Sequence, residues 1–229
     1  MALRMPEASE VVAERLARRA QARSSSGSLL VALSGIDGSG KGYTANLLHG
    51  ALEGRGVHTA VIHADDWLTP PHHRFGRSPT ARHFYENAFR YDEMFANVVT
   101  PLRRDGHVDA IREISGRSGF LQRHTYRYAE VDVVLLEGIF LLRRELLRSY
   151  DRTIWIDCTF RTALERALER NQEHLPPEQI EHDYRTIYFP AQRHHSSRDA
   201  PWERAGIVVL NDERLAAPAR PGEAAASAA

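Results

Sequence analysis

The segment Gly35-Ile36-Asp37-Gly38-Ser39-Gly40-Lys41 holds the only lysine of this chain; the other 29 of its 30 basic residues are arginine. A compact ammonium on a flexible stem suits a loop whose backbone N–H groups wrap phosphates, because it reaches oxygens that a planar guanidinium cannot enter. Gly35, Gly38 and Gly40 allow the backbone to approach an anion closely. The residues offered to a nucleotide are Gly35, Asp37, Gly38, Ser39, Gly40, Lys41, Gly42, Tyr43 and Thr44. One position departs from the pattern. Gly42 stands where a Ser or Thr hydroxyl would bind Mg²⁺, which leaves the metal to phosphates, water, carboxylates from elsewhere, or Thr44. Three further groups have the right chemistry. Asp65 and Asp66 are carboxylates able to accept the proton of an attacking hydroxyl, Asp65 being preferred as base; a helix or turn cap is the alternative for either. Glu137 follows an apolar run, as a carboxylate that orients Mg²⁺ would. Arg166 and Arg170 lie four apart on one helical face with Arg161 nearby. They fit a lid that neutralises transferring phosphates, and equally a solvated helix paired with Glu165, Glu169 and Glu173.

These groups need strands to carry them. Residues 28–34 read as a short buried strand, and from Lys41 the pattern turns helical, with Ala45, Leu47, Leu48 and Leu52 on an apolar side; a strand–loop–helix setting is what a phosphate-binding loop requires. Strands are expected at 57–63, 131–136, 153–157 and 207–210, with helices over 82–104, 160–174 and 177–193. Residues 108–114 and 120–128 read as a hairpin across 115–119. Apolar strands alternating with helices imply an α/β domain with a mostly parallel sheet covered on both faces, and ligands in such sheets bind at the carboxyl ends of strands. The phosphate-binding loop, Asp65/Asp66 and Glu137 all fall at such ends. On the hairpin, His124 and Tyr126 alternate and face either a pocket or solvent.

The chain has 229 residues and zero formal net charge, with 30 acidic and 30 basic side chains. No basic field points to nucleic acid, and no polybasic block or long apolar run points to a membrane. The single Cys158 cannot form an internal disulfide, and with no signal peptide in view a cytoplasmic setting is expected. The adjacent pairs His72-His73 and His194-His195 lack the spacing and cysteine partners of structural zinc. Three parts are expected: an N-terminal helix and Ser-rich joint (1–27), an α/β domain (28–212) and a disordered Ala/Pro-rich tail (213–229).

Taken together, Gly35 to Lys41, Asp65-Asp66-Trp67, Tyr91-Asp92, residues 134–139, residues 154–157 and the Arg166…Arg170 pair resemble the uridine kinase family of P-loop small-molecule kinases, across about Ser28 to Asp212. The resemblance implies a P-loop NTPase three-layer sandwich with a helical lid and a small substrate-side hairpin. It implies ATP (or GTP) and Mg²⁺ as cofactors, a small-molecule hydroxyl as acceptor, and a homo-oligomer as a frequent state. By the same resemblance Asp65 is the base on a ribose 5′-hydroxyl, Asp92 binds ribose hydroxyls, and Arg166 and Arg170 grip phosphates. Asp66, Trp67, Arg74, Tyr85, Tyr91, Asp92, His124 and Tyr126 form the expected acceptor side, with Glu137 and Thr44 on the metal side. The hairpin lacks the family's base-reading residues in their usual order. The resemblance makes uridine or cytidine the leading acceptor, with Trp67, Phe75, Tyr85 and Phe89 available to stack on a base; pantothenate, a phospho-sugar, glycerate or a natural-product hydroxyl is the alternative, served by arginines near Arg74, Arg77 or Arg90. A nucleotide-binding module without turnover is the reading that Gly42 favours.

Overall fold

The computed structural model describes residues 2–23, 27–76, 80–114, 122–171 and 174–215. The Ser-rich joint at 24–26, Arg77, the hairpin turn at 115–121, Gln172-Glu173 and the tail from 216 lie outside the described residues. Eight strands are present among those described: β1 (Ala2–Arg4), β2 (Leu29–Gly35), β3 (Thr59–His63), β4 (Val108–Ile114), β5 (Gln122–Tyr128), β6 (Val133–Gly138), β7 (Arg152–Asp157) and β8 (Ile207–Leu210). Six form one parallel sheet in the order β1-β8-β7-β2-β6-β3, and β4 pairs antiparallel with β5 as a separate hairpin.

The strands are continuous apolar runs because both faces are covered. Leu29, Val31 and Leu33 point into one core with Val133, Leu135, Ile154 and Ile156. Leu30 and Ala32 point into the other with Ala60, Ile62, Val134 and Leu136. The first core is closed by α1 (Glu7–Gln21) through Val12 and Leu16 and by α2 (Lys41–Glu53) through Leu48 and Leu52. Each such leucine removed from water stabilises the fold by roughly 1.5–3 kcal/mol. Along the chain come the short helices α3 (Pro71–Arg74), α4 (Ala81–Asn87), α5 (Tyr91–Met94) and α6 (Thr100–Asp105), then α7 (Phe160–Arg170), α8 (Pro177–Asp183), α9 (Phe189–Asp199) and α10 (Pro201–Arg204). Met94, Val98 and Leu102 close the second core.

Three details differ from expectation. The helix over 82–104 is interrupted at 88–90, where Phe89 forms an isolated antiparallel bridge to Leu68. The helix from Phe160 stops at Arg170 because Asn171 takes the left-handed conformation (φ 36°), which Asn tolerates as a helix stop. β1 was not anticipated. Its three residues pair in parallel with β8 and add an edge strand to the central sheet. Two π-helical turns, Phe95–Val99 and Tyr184–Tyr188, lie inside longer helical runs, α5–α6 and α8–α9.

Candidate active site

β2 ends at Gly35 and α2 begins at Lys41, so Gly35 to Gly40 form the turn between them. Gly38 (φ 79°) and Gly40 (φ 90°) hold left-handed conformations. A methyl group on Gly38 would lie 2.4 Å from the Ala163 carbonyl, and one on Gly40 2.3 Å from Asn211 Nδ2. The loop is thus pressed against α7 and the end of β8, and only glycine fits. Asn211 Nδ2 donates to Ser39 O at 2.8 Å, which fixes the loop from the far side. Lys41 is 7% exposed and its Nζ donates to the Ile36 carbonyl at 2.9 Å. Ser39 Oγ is buried without a partner among the described residues. These are the features of a backbone cradle that fits phosphate.

A cavity of about 700 Å³ opens from this cradle. The structure brings to its wall Asp37, Gly38, Gly40, Lys41, Gly42 and Tyr43 from the loop, Asp65 and Asp66 from the 3₁₀ turn Ala64–Trp67 after β3, Glu137 at the end of β6, and Arg166 and Arg170 from α7. Arg74 is on the wall as well. Adjacent strand ends explain the convergence of the carboxylates: β3 pairs with β6, and His63 sits opposite Glu137 in register. His63 Nδ1 bonds Glu137 Oε1 at 2.7 Å. That bond holds the imidazole's pKa above its ordinary value, against the opposing effect of burial. Burial, outweighing His63 and His124, holds the Asp66 carboxyl above the usual carboxylate range.

The α7 arginines separate residue by residue. Arg161 pairs with Glu165 at 3.2 Å in solvent. Arg166 points inward, with Nη2 donating to Asn211 O at 2.9 Å and Nη1 3.5 Å from the Gly38 and Ser39 carbonyls. Arg170 lies 3.9 Å from Asp37 Oδ1. Asp37 in turn bonds the Gly38 N–H at 3.0 Å and accepts from Tyr184 Oη at 2.6 Å, tying the loop to the helical run from α8 to α9.

Several expected residues are not brought to the cavity wall. Thr44 donates its hydroxyl to Gly40 O at 3.0 Å within its own helix and is 2% exposed, so it faces the core rather than the metal side. Trp67 is 1% exposed and stacks on Tyr126, itself 2% exposed, with centroids 5.9 Å apart; His124 packs against Tyr126 at a tilt of 54°, with centroids 4.4 Å apart. Tyr91 is buried with its hydroxyl donating to Ile139 O at 2.8 Å, and Asp92, the next residue, is exposed to solvent. Tyr85 faces away from the cavity, toward Asp199. Arg90 is held outside by Glu93 at 2.7 Å. Of the expected stacking residues Phe89 does reach the wall, where it is joined by Leu68, Phe84, Ile139, Tyr188 and Gln192. His63 was legible, being the last residue of a strand beside Glu137; Gln192, inside a helix of mixed polarity, had no signal. Among the described residues no group of three or more His, Cys, Asp and Glu is assembled as a metal site. The acidic groups on the wall fit a metal that arrives with phosphates, not one caged by protein alone.

No protein-family model matches this chain, and no curated protein does. Solved structures do. A possible uridine kinase from Bacillus stearothermophilus aligns with TM-score 0.65 at 20% identity, over 86% of this chain and 96% of that one. A candidate fructose transport system kinase from Silicibacter sp. TM1040 aligns with TM-score 0.71 at 20% identity, over 87% and 98%. D-glycerate 3-kinase from Cryptococcus neoformans aligns with TM-score 0.53 at 15% identity, over 82% and 88%. The chain has the fold of the uridine kinase-like P-loop kinases.

Proposed function

We propose that this protein is an ATP-dependent kinase that transfers a phosphoryl group to a hydroxyl of a small molecule. The observation that carries the reading is the union, in one cavity, of the glycine cradle with Lys41, the carboxylates Asp65 and Asp66, and an acceptor-sized end walled by Phe84, Phe89 and Tyr188. The backbone N–H groups of residues 38–42 hold the phosphates, and Lys41 exchanges the Ile36 carbonyl for phosphate oxygen. Asp65 takes the proton of the acceptor hydroxyl, with Asp66 beside it. Arg166 and Arg170 face the cradle, where transferring charge develops. His63 orients Glu137. Glu137 and Asp66 are the side chains that would face a magnesium ion brought by the triphosphate, which would supply charge neutralisation on the phosphate oxygens.

The 5′-hydroxyl of uridine or cytidine, giving UMP or CMP, is the leading acceptor, supported by the aromatic wall. A second reading, an acceptor bearing an anionic group such as pantothenate, glycerate or a phospho-sugar, is favoured by Arg74, a 6% exposed guanidinium on the same wall. The test is coupled ADP release with Mg·ATP and Mg·GTP across uridine, cytidine, other nucleosides, pantothenate, glycerate and ribulose 5-phosphate. Acceptor-dependent ADP release is expected. Tight nucleotide binding with no acceptor-dependent release would replace the kinase by a nucleotide-responsive module.

A further inference from the structure

We infer that Gln192 is the specificity-determining residue at the acceptor end of the cavity, and that it selects an acceptor carrying a planar group with a hydrogen-bond donor and a hydrogen-bond acceptor side by side, the edge of a cyclic amide or amidine. The inference rests on the kinase reading for naming that end of the cavity the acceptor end.

Gln192 lies on α9, is 2% exposed and lines the cavity. Neither its Oε1 nor its Nε2 has a partner among the described residues. A buried amide without partners opposes folding, so the ligand that occupies the cavity is the natural source of the missing bonds. The two vacant valences decide what that ligand must present. Nε2 needs an acceptor and Oε1 needs a donor. A carboxylate or phosphate offers acceptors alone and would set oxygen against Oε1. An alkyl chain offers neither. A hydroxyl offers both, but from one freely rotating atom, whereas a cyclic amide offers them side by side on one rigid edge that matches the two ends of the glutamine amide.

The walls agree with a flat ligand. Phe84 and Tyr188 meet edge to face at 5.3 Å, and Phe89 lies on the same wall. Aromatic rings stack planar groups at little entropic cost. Arg74, whose Nη1 donates to Thr69 O at 2.9 Å, brings further N–H groups to the same wall, suited to a second carbonyl. The hairpin does not compete for this role, since Tyr126 is buried against Trp67 and neither it nor His124 lines the cavity. Acceptor reading has therefore moved to the helix that follows the α7–α8 segment.

Isothermal titration of uridine, D-ribose and D-glycerate into the full chain separates the outcomes. Uridine carries the amide edge, ribose keeps the hydroxyls without the ring, and glycerate tests an anion. Uridine is expected to bind the parent protein most tightly. Gln192→Met, of near-equal volume, should weaken uridine about tenfold or more while leaving ribose and glycerate unchanged, and Gln192→Glu, which loses the donor, should weaken uridine likewise while leaving ribose unchanged. A merely structural glutamine would move all three ligands together. Absent uridine binding, uridine affinity unchanged in both variants, or glycerate or ribose binding as tightly as uridine would each overturn the inference. Failure of phosphoryl transfer reads differently: uridine binding stays Gln192-dependent while no acceptor stimulates ADP release.

Discussion

Two groups of buried polar side chains, one around Asp199 between α4 and α9 and one on the cavity side, are built on opposite terms. Behind the cavity, Asp199 is 0% exposed and accepts from Tyr85 Oη at 2.6 Å and His195 Nδ1 at 2.8 Å, with Arg198 at 3.7 Å and Arg144 at 3.9 Å. Burial pushes its carboxyl up, but the bonds from His195 and Tyr85 outweigh burial and bring it down to about 2. Burial holds His195 below its ordinary value, so the ring is neutral and donates through Nδ1, leaving Nε2 without a partner. On the cavity side, the partners are missing or provisional: Gln192 has none among the described residues, Ser39 Oγ has none, and Lys41 leans on a backbone carbonyl. Equal burial thus marks two functions. A carboxylate whose bonds all come from its own chain holds helices together; a buried amide that lines the cavity without a bond from its own chain is suited to a ligand.

The comparison breaks most sharply at Lys41. Lys41→Ala should lower kcat by about 10³ or more, roughly 4 kcal/mol of transition-state stabilisation, while circular dichroism and melting temperature stay near the parent values. Undiminished turnover would remove the phosphate role from the cradle. Asp199→Asn should do the reverse. Disrupting a buried charged hub costs about 3 kcal/mol, a fall in Tm of roughly 6–12 °C by calorimetry, with kcat at 25 °C within about twofold. Its pH dependence has a definite sign. A carboxyl held low contributes stability that is complete above its ordinary value near 4 and is lost as pH falls through about 2. The Tm gap between parent and Asp199→Asn should therefore be constant above pH 5 and close between pH 4 and 2; a gap that persists at pH 2 would show that charge is not what Asp199 contributes.

Gly42→Ser sharpens the cavity side. A Cβ at Gly42 meets nothing within 4 Å, so the hydroxyl is accommodated without strain. The Mg²⁺ concentration for half-maximal rate should fall about three- to tenfold, about 1 kcal/mol, with stability unchanged or slightly raised. An unchanged Mg²⁺ requirement would mean that the carboxylates already complete the metal's surroundings. The smallest effect belongs to Gln192→Met. Removing an unsatisfied buried amide should leave Tm equal or raise it by about 1–3 °C, where Asp199→Asn lowers it. A marked loss of stability in Gln192→Met would place Gln192 with Asp199 as a structural group.

The sheet was legible because its strands are unbroken apolar runs and because the glycine loop, Asp65/Asp66 and Glu137 carry chemistry that strand ends must gather. Residues on that edge were correspondingly easy to place together. The acceptor end was legible only in part: Asp66, Arg74 and Phe89 reach the wall, but the other expected aromatics do not. Trp67, Tyr91 and Tyr126 have the composition of a stacking pocket, but tertiary packing turned them into the core, while Phe84 and Tyr85, adjacent on α4, were sent to opposite sides by helical periodicity. Distinguishing them needs the crossing of α4 and α9, which no local pattern encodes. The arginines of α7 show the same limit: spacing puts Arg166 and Arg170 on one face, yet only the position of that helix over the cradle separates them from solvated Arg161.

The solitary lysine also makes this protein a natural single-site reporter. Apart from the N-terminal amine, Lys41 Nζ is the one primary amine in the chain, and it is nearly covered and tethered to Ile36 O. Acylating reagents therefore have one internal target, and the rate at which that target is modified, read by intact mass, tracks how the loop is filled without any engineered label.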